Sequence, residues 1–149
     1  MKIRKATEKD FKVCMEIAKD LVEWFDENGI IELGDDLKDC STYIYDNGEV
    51  LAYACIKEKS DKAVEIKQLA VKRNNQRHGI GTELLEYVEK VIAPNKILEV
   101  KTLDEACEYE PYERTRAFYT KNGFVKIEVV DPYPGWSPGN PCAIYIKAG

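Results

Sequence analysis

Between positions 69 and 85 the chain reads Leu69-Ala70-Val71-Lys72-Arg73-Asn74-Asn75-Gln76-Arg77-His78-Gly79-Ile80-Gly81-Thr82-Glu83-Leu84-Leu85. This pattern predicts a strand, a basic loop with two glycines, and a helix with an apolar stripe. The first amides of a helix lack internal partners and carry the positive end of its dipole, and glycine lets the backbone approach phosphate oxygens closely. The loop is therefore a candidate anion-binding site, although two glycines also suit a tight turn that binds nothing.

Spacing excludes two common phosphate-binding motifs. A dinucleotide fingerprint needs a third glycine where Leu84 stands, and a P-loop needs Gly-Lys-Ser/Thr at the end of the loop. If the loop binds phosphate, it belongs to another kind of motif.

The elements before the loop are predicted from apolar spacing and turn residues. A strand at 2–6 leads to a helix that Thr7 caps and that Asn28-Gly29 ends, and the segment 30–39 is open between a short helix and a loop. Asn47-Gly48 predicts a tight hairpin between strands at 42–45 and 50–57. A third strand of the same meander covers 63–71.

The elements after the loop complete the order βα(α)βββαβαββ. They are a helix over 80–92, a strand at 97–101, a loop at 102–112, a helix over 113–121, and strands at 124–130 and 142–147 separated by a proline-rich linker. The prediction is one α+β domain over residues 1–149, with a mixed, mostly antiparallel sheet of six or seven strands flanked by helices.

Composition narrows the function classes. The net charge of -5 argues against a general nucleic-acid binder, and no apolar stretch approaches the roughly 20 residues of a membrane span. The first residues lack the apolar core of a secretory signal, so a cytoplasmic location is expected. Five cysteines without metal or redox spacing predict reduced thiols and no metal site.

Two segments resemble the GNAT superfamily of acyl-CoA-dependent N-acetyltransferases. One is the strand, Gln-x-x-Gly-x-Gly loop and Leu-Leu helix of residues 69–85, and the other is Ala117-Phe118-Tyr119-Thr120-Lys121-Asn122-Gly123-Phe124, which resembles the family's helix-to-strand signature. The predicted element order also matches that fold. The resemblance implies a pair of splayed strands at the centre of the sheet and transfer of an acetyl group from acetyl-CoA to an amine.

The resemblance also implies where acetyl-CoA binds as co-substrate. The pantetheine arm would pair with the backbone of Leu69 and Val71, and an amide near Leu69 or Ala70 would stabilise the oxyanion. The pyrophosphate would be bound by Gln76, Arg77, His78, Gly79, Ile80, Gly81 and Thr82. The family commonly has an asparagine before the aromatic pair; residues 110–116 contain none, and Thr115 is the candidate substitute.

Tyr119 and Glu65 are the catalytic candidates that the resemblance implies. Tyr119 would protonate the departing thiolate, and Glu65 would take a proton from the amine. A core aromatic residue and a solvated strand residue are the alternative interpretations of these two positions. Glu110 and Asp104 are further candidates for the base.

The acceptor is the least determined part of the prediction. Acidic stretches at 23–39 and 104–113 favour a cationic amine, either a small molecule or a lysine side chain, although charge runs are often only solvated surface. The linker with Tyr133 and Trp136 fits a cover over the acceptor or a homodimer interface. The competing functions are a non-catalytic acyl-CoA sensor and a module whose glycine loop holds no ligand.

Overall fold

The computed structural model describes residues 2–149 and contains one seven-stranded sheet. The strands are β1 (Ile3–Lys5), β2 (Ser41–Asp46), β3 (Val50–Ser60), β4 (Ala63–Val71), β5 (Ile97–Leu103), β6 (Val125–Val130) and β7 (Cys142–Ala148). Their order across the sheet is β1-β2-β3-β4-β5-β7-β6. Neighbouring strands are antiparallel except β4 and β5, which are parallel. The predicted mixed, mostly antiparallel fold is confirmed.

Four α-helices connect these strands, and they are α1 (Glu8–Asp20), α2 (Glu27–Asp39), α3 (Ile80–Tyr87) and α4 (Glu110–Lys121). A 3-10 turn at Arg73–Asn75 precedes α3, and a π-helical turn at Val88–Ile92 follows it. Among the described residues no helix is both long and apolar enough to cross a membrane.

The predicted end of the first helix at Asn28-Gly29 is wrong. The helix α1 ends at Asp20, and α2 begins at Glu27 after a short turn. Asp26 is the N-cap of α2 and accepts a hydrogen bond from the Gly29 amide at 2.7 Å, so Asn28 and Gly29 belong to the first turn of the second helix. Leu21, Trp24 and Phe25 continue the apolar spacing across the break because they pack against the same core.

The helix α4 begins three residues before its predicted start. Pro111 lies in its first turn, where a backbone N–H has no partner to lose, so the proline begins the helix instead of prolonging the loop. The strand β5 also extends past its predicted end at Lys101, because residues up to Leu103 pair with β7. The segment 30–39, left open by the sequence, is helical.

Each face of the sheet carries its own core. Leu84, Leu85 and Val88, in α3 and the turn after it, pack with Tyr119 of α4 against one face. The opposite face is covered by α1 and α2, whose buried side chains include Cys14, Ile17, Leu33 and Leu37. The five cysteines are free thiols, and three of them are buried.

The sheet is divided at its centre. The strands β4 and β5 pair over only four positions, from Ala63–Ile97 to Ile66–Val100. Beyond Ile66 both strands continue without pairing to each other, so a gap opens between them on the side toward α3 and α4. This is the splayed pair that the family resemblance implies.

Replacing Leu84 by alanine tests the core beneath α3. Leu84 is fully buried, so Leu84→Ala should lower the free energy of unfolding by about 2–5 kcal/mol through lost burial and the cavity left behind. Val91→Ala in the following turn, where the side chain is 56% exposed, should cost less than about 0.5 kcal/mol. Urea unfolding measures both values, and equal losses would contradict this packing.

Candidate active site

A cleft of about 1100 Å³ opens where β4 and β5 separate. Its walls come from the ends of these two strands, the loop before α3, the turn between α1 and α2, the start of α4 and part of the 131–141 linker. Because strands, loops and helices from distant parts of the chain meet here, the cleft is the candidate site.

The inner edge of β4 presents backbone groups to this cleft. The Lys72 amide donates to the Leu51 carbonyl at 2.8 Å, toward β3, and the ladder between β3 and β4 has no irregularity over residues 69–71. In an antiparallel ladder alternate residues bond to the same neighbour, so the polar groups of Leu69 and Val71 point the other way, into the gap. The Val71 carbonyl already accepts from the Gln76 side chain at 3.0 Å.

The loop before α3 has the backbone shape of a tight turn into a helix. Arg77 and Gly79 both have positive φ, at 65° and 81°, and Gly79 is the N-cap of α3. The turn brings the first amides of α3 to the cleft, where the helix dipole favours an anion. The predicted loop residues that line the cleft are Gln76, Arg77, Gly79, Gly81 and Thr82.

Two predicted loop residues do not line the cleft. Ile80 is buried in the core under α3, and the side chain of His78 is exposed. Either residue could still meet a ligand through its backbone amide. Gly81 does line the cleft, but its lack of a side chain also serves packing, because a Cβ there would lie 3.3 Å from the Phe118 ring.

Tyr119 belongs to both the core and the cleft wall. It is only 5% exposed, and its ring makes edge contacts with Phe118 at 5.2 Å and Phe124 at 5.3 Å between centroids. Burial raises the pKa of its hydroxyl, so the phenol stays protonated at neutral pH. A protonated hydroxyl on the wall of a cleft is available as a proton donor.

Glu65 is not the solvated strand residue of the alternative interpretation. It is 4% exposed, and its Oε1 lies 3.4 Å from the ammonium groups of both Lys59 and Lys101. It does not line the cleft. The two further candidates for the base, Asp104 and Glu110, also lie outside the cleft lining and form ion pairs with Lys126 and Arg114.

The turn between α1 and α2, residues 21–26, bridges the cleft, and we call it the bridging turn. The Trp24 indole donates to the Pro111 carbonyl at 3.2 Å and to the Thr115 hydroxyl at 3.1 Å. The hydroxyls of Tyr109 and Tyr112 donate to the backbone carbonyls of Glu23 and Trp24. Thr115, the candidate substitute for the missing asparagine, is therefore already bonded to the bridging turn.

Most acids of the segment 23–39 have partners within the protein. Arg73 donates to both oxygens of Glu23 at 2.7 Å, and these bonds hold the pKa of Glu23 at about 2. Asp26 caps α2, and Asp36 accepts from Gln68 at 2.9 Å. The acidic stretch therefore has fewer unpaired carboxylates available to attract a cation than its composition suggests.

Several residues of the cleft wall were missed at the sequence level. Thr102 lines the cleft, and its buried hydroxyl has no hydrogen-bond partner within residues 2–149, so a ligand in the cleft could supply one. Trp24 was counted as part of one long helix stripe, and Thr102 was placed just beyond the predicted end of β5. No pattern in the sequence could have assigned either residue to the site.

The linker lies against the site. Trp136 lines the cleft, and the Lys101 ammonium lies 5.4 Å from the centre of the Tyr133 ring. This placement fits a cover over the cleft, while the homodimer interpretation stays a prediction. Within residues 2–149 no group of three or more His, Cys, Asp or Glu side chains is placed to hold a metal ion.

A model of a known family matches more than half of the chain. The sequence model described as "Acetyltransferase (GNAT) domain" matches residues 38–126, which include β4, the glycine loop, α3 and α4. A search of curated proteins found no significant match.

Solved structures share the fold across nearly the whole chain. A protein assigned to the GNAT family from Desulfovibrio desulfuricans superposes with a TM-score of 0.78 at 17% identity, covering 98% of this chain and 97% of the other. The alanine N-acetyltransferase of a ribosomal protein from Escherichia coli gives 0.70 at 18%, covering 98% and 92%. An aminoglycoside 6'-N-acetyltransferase complexed with coenzyme A gives 0.67 at 19%, covering 99% and 97%. At such identities the likeness shows the fold alone.

Proposed function

Because the chain belongs to the GNAT family of acetyltransferases, we propose that it transfers the acetyl group of acetyl-CoA to a primary amine. The observation that carries the proposal is the gap between β4 and β5, where the strand edge faces a cleft that ends at the N-terminus of α3. An elongated ligand with amides along one part and phosphates at one end matches that arrangement.

In this proposal the pantetheine amides pair with the backbone of Leu69 and Val71. The pyrophosphate meets the first amides of α3 and the Arg77 side chain, in the loop of residues 76–82. The Leu69 amide would donate to the oxyanion that forms as the amine attacks the thioester, whereas Ala70, the other residue predicted for this role, alternates with Leu69 and bonds toward β3. These assignments need no metal.

Tyr119 is the proposed proton donor to the departing sulfur. Tyr119 lines the cleft, and burial of its side chain raises the pKa of the phenol. Burial disfavours the phenolate and the departing thiolate alike, so the phenol stays protonated until the sulfur leaves and can accept its proton. Glu65 stays the sequence-based prediction for the base.

The acceptor is proposed to be a primary amine that is cationic in solution, on a small molecule or a protein. Its support is that Glu32 and Glu108 lie on the cleft wall, although Lys67 and Lys101 lie there too. The aminoglycoside and ribosomal-protein enzymes with this fold act on unlike acceptors, so the fold does not choose between them. The single domain over residues 1–149, the cytoplasmic location and the homodimer stay predictions.

A non-catalytic acyl-CoA sensor is the second candidate. One observation favours it, namely that Glu65 is held between two lysines away from the cleft. A sensor would bind acetyl-CoA without releasing free coenzyme A in the presence of any amine. Continuous measurement of thiol release separates the two functions.

Exchanging Gly79 for alanine tests the phosphate-binding loop. Its φ is +81° with open space around it, so Gly79→Ala strains the backbone by roughly 1–2 kcal/mol and turns the first amides of α3 away from the ligand. Calorimetry should show coenzyme A bound at least about tenfold more weakly. Gly48→Ala is the matched control, because its φ of +107° lies in a hairpin outside the cleft lining. Equal affinities for the two variants would place the phosphates elsewhere.

Removing the Tyr119 hydroxyl tests the proton donor. Tyr119→Phe keeps the ring contacts with Phe118 and Phe124, so acetyl-CoA affinity should hardly change. The turnover number should fall roughly 10²-fold, the usual effect of a general acid. Phe124→Leu is the control for ring packing, and it should alter stability more than turnover. A Tyr119→Phe turnover number within about threefold of wild type would show that Tyr119 is a core aromatic residue and not the proton donor.

A panel of amines tests the acceptor class. Spermidine, kanamycin, phenethylamine and a lysine-containing peptide should be acetylated faster than glutamate, and their apparent KM should rise with salt, since exposed charges are screened beyond about 10 Å at 0.1 M. Thiol release measures each rate. If glutamate is the best substrate, the cationic preference is wrong.

A further inference from the structure

Glu32 stands beside the point where the two central strands separate. It lines the cleft from α2, and its Oε1 lies 3.9 Å from the Lys67 ammonium. One turn later on α2, Asp36 accepts from Gln68 at 2.9 Å, which fixes the helix over this part of β4. Lys67 and Gln68 directly follow Ile66, the last residue of β4 that pairs with β5. Glu32 therefore lies beside Lys67, in the part of β4 that enters the gap and two residues before Leu69, the proposed oxyanion donor.

Three other carboxylates near the cleft have partners elsewhere. Glu23 is bound by both arms of the Arg73 guanidinium, and Asp26 caps α2. Glu65 is buried between two lysines and does not line the cleft. Glu108 lines the cleft from the loop before α4, whereas α2 packs on β4 through Asp36 and Gln68. Glu32 is the lining carboxylate that α2 holds over β4.

The surroundings of Glu32 suit it to hold a proton briefly. Partial burial in the cleft raises its pKa, Lys67 opposes this, and nearby carboxylates reinforce it. A carboxylate with a raised pKa is a better proton acceptor, whereas Glu23 is a poor one. The side chain is also 55% exposed, so water can remove the proton. The titratable groups that face it are Lys67 and Glu65 on β4, Asp36 on α2, Asp26 in the bridging turn and Tyr112 on α4.

We propose that Glu32 takes the proton from the acceptor ammonium and that Lys67 positions its carboxylate. The proposal rests on the acetyl transfer proposed above. It adds a catalytic residue on α2, contributed by a segment that the sequence left unassigned.

Glu32 accepts one proton from R–NH₃⁺, and the freed lone pair forms the N–C bond while the carbonyl electrons move to oxygen. An electron pair on the oxyanion then re-forms the C=O bond as the C–S bond breaks, the C–S electron pair goes to sulfur, and sulfur takes the Tyr119 proton. The nitrogen gives its second surplus proton back to Tyr119 through water. Glu32 releases its proton to solvent, so the net products are the amide, free coenzyme A and one H⁺.

Rates of thiol release against pH test this assignment, with the fastest amine of the panel as acceptor. Glu32→Gln should lower kcat/KM roughly 10²-fold near pH 7. The loss should shrink toward pH 10, where the amine deprotonates without help from a base. Asp35→Asn is the matched control, an exposed acid on the same helix outside the cleft lining, and it should leave the profile unchanged.

Lys67→Met tests the role of Lys67 through the pH dependence of the rate, which would not change if Lys67 only stabilised the fold. Removing the ammonium beside Glu32 makes proton release from the carboxyl harder, so the acidic limb of the kcat/KM profile should shift to higher pH. Retained acetyl-CoA affinity by calorimetry shows that both variants fold.

The outcomes separate this inference from the proposed function. A Glu32→Gln rate within about threefold of wild type, with a large loss in Glu65→Gln, would overturn the assignment and give the role to Glu65. A loss in Glu32→Gln that stays constant with pH would also overturn it, because a base is needed less as the amine deprotonates. If the wild-type protein binds acetyl-CoA but releases no thiol with any amine, the acetyl transfer itself is wrong and the inference fails with it.

Discussion

The two parallel strands β4 and β5 share only four paired positions. Beyond these positions, the backbone N–H and C=O groups on the facing edges need hydrogen-bond partners other than the neighbouring strand. Unpaired backbone groups away from water are costly, so a gap in the centre of a sheet persists only where side chains, water or a ligand satisfy it. The Gln76 side chain satisfies the Val71 carbonyl. The remaining polar groups of Leu69 and Val71 face the cleft, where the proposed coenzyme would pair with them through its own amides.

The surrounding elements hold the gap open and enclose it. The close approach of α3 and α4 at Gly81 and Phe118 sets one wall, and the bridging turn ties α1 and α2 to the start of α4 through Trp24. Arg73 ties the same turn to the loop before α3 by its bonds to Glu23. These contacts fix the positions of the cleft walls relative to one another.

The sequence predicts the features that depend on local chemistry. Asn47-Gly48 supplies the hairpin dihedrals, and the bounds of β4 follow from its apolar residues, so both are found where predicted. The break between α1 and α2 was missed because its apolar residues keep helical spacing across the turn. The start of α4 was missed because proline suits a loop and a first helical turn equally.

Contacts between side chains that are distant in sequence cannot be predicted from local sequence patterns. The sequence could show that acids crowd residues 23–39 but not that Arg73 binds Glu23 or that Gln68 binds Asp36. It could place Glu65 on β4 but not between Lys59 and Lys101, because those lysines come from neighbouring strands. Such contacts depend on the register of neighbouring strands and on how α2 packs on the sheet, and both are seen only in the folded structure.

Amide hydrogen exchange with and without saturating acetyl-CoA tests the central claim most directly. If the coenzyme lies in the gap, exchange should slow at the amides of residues 69–71 and 79–83 and stay unchanged in β6 at the edge of the sheet. Binding seen by calorimetry without slower exchange in those two segments would contradict the account.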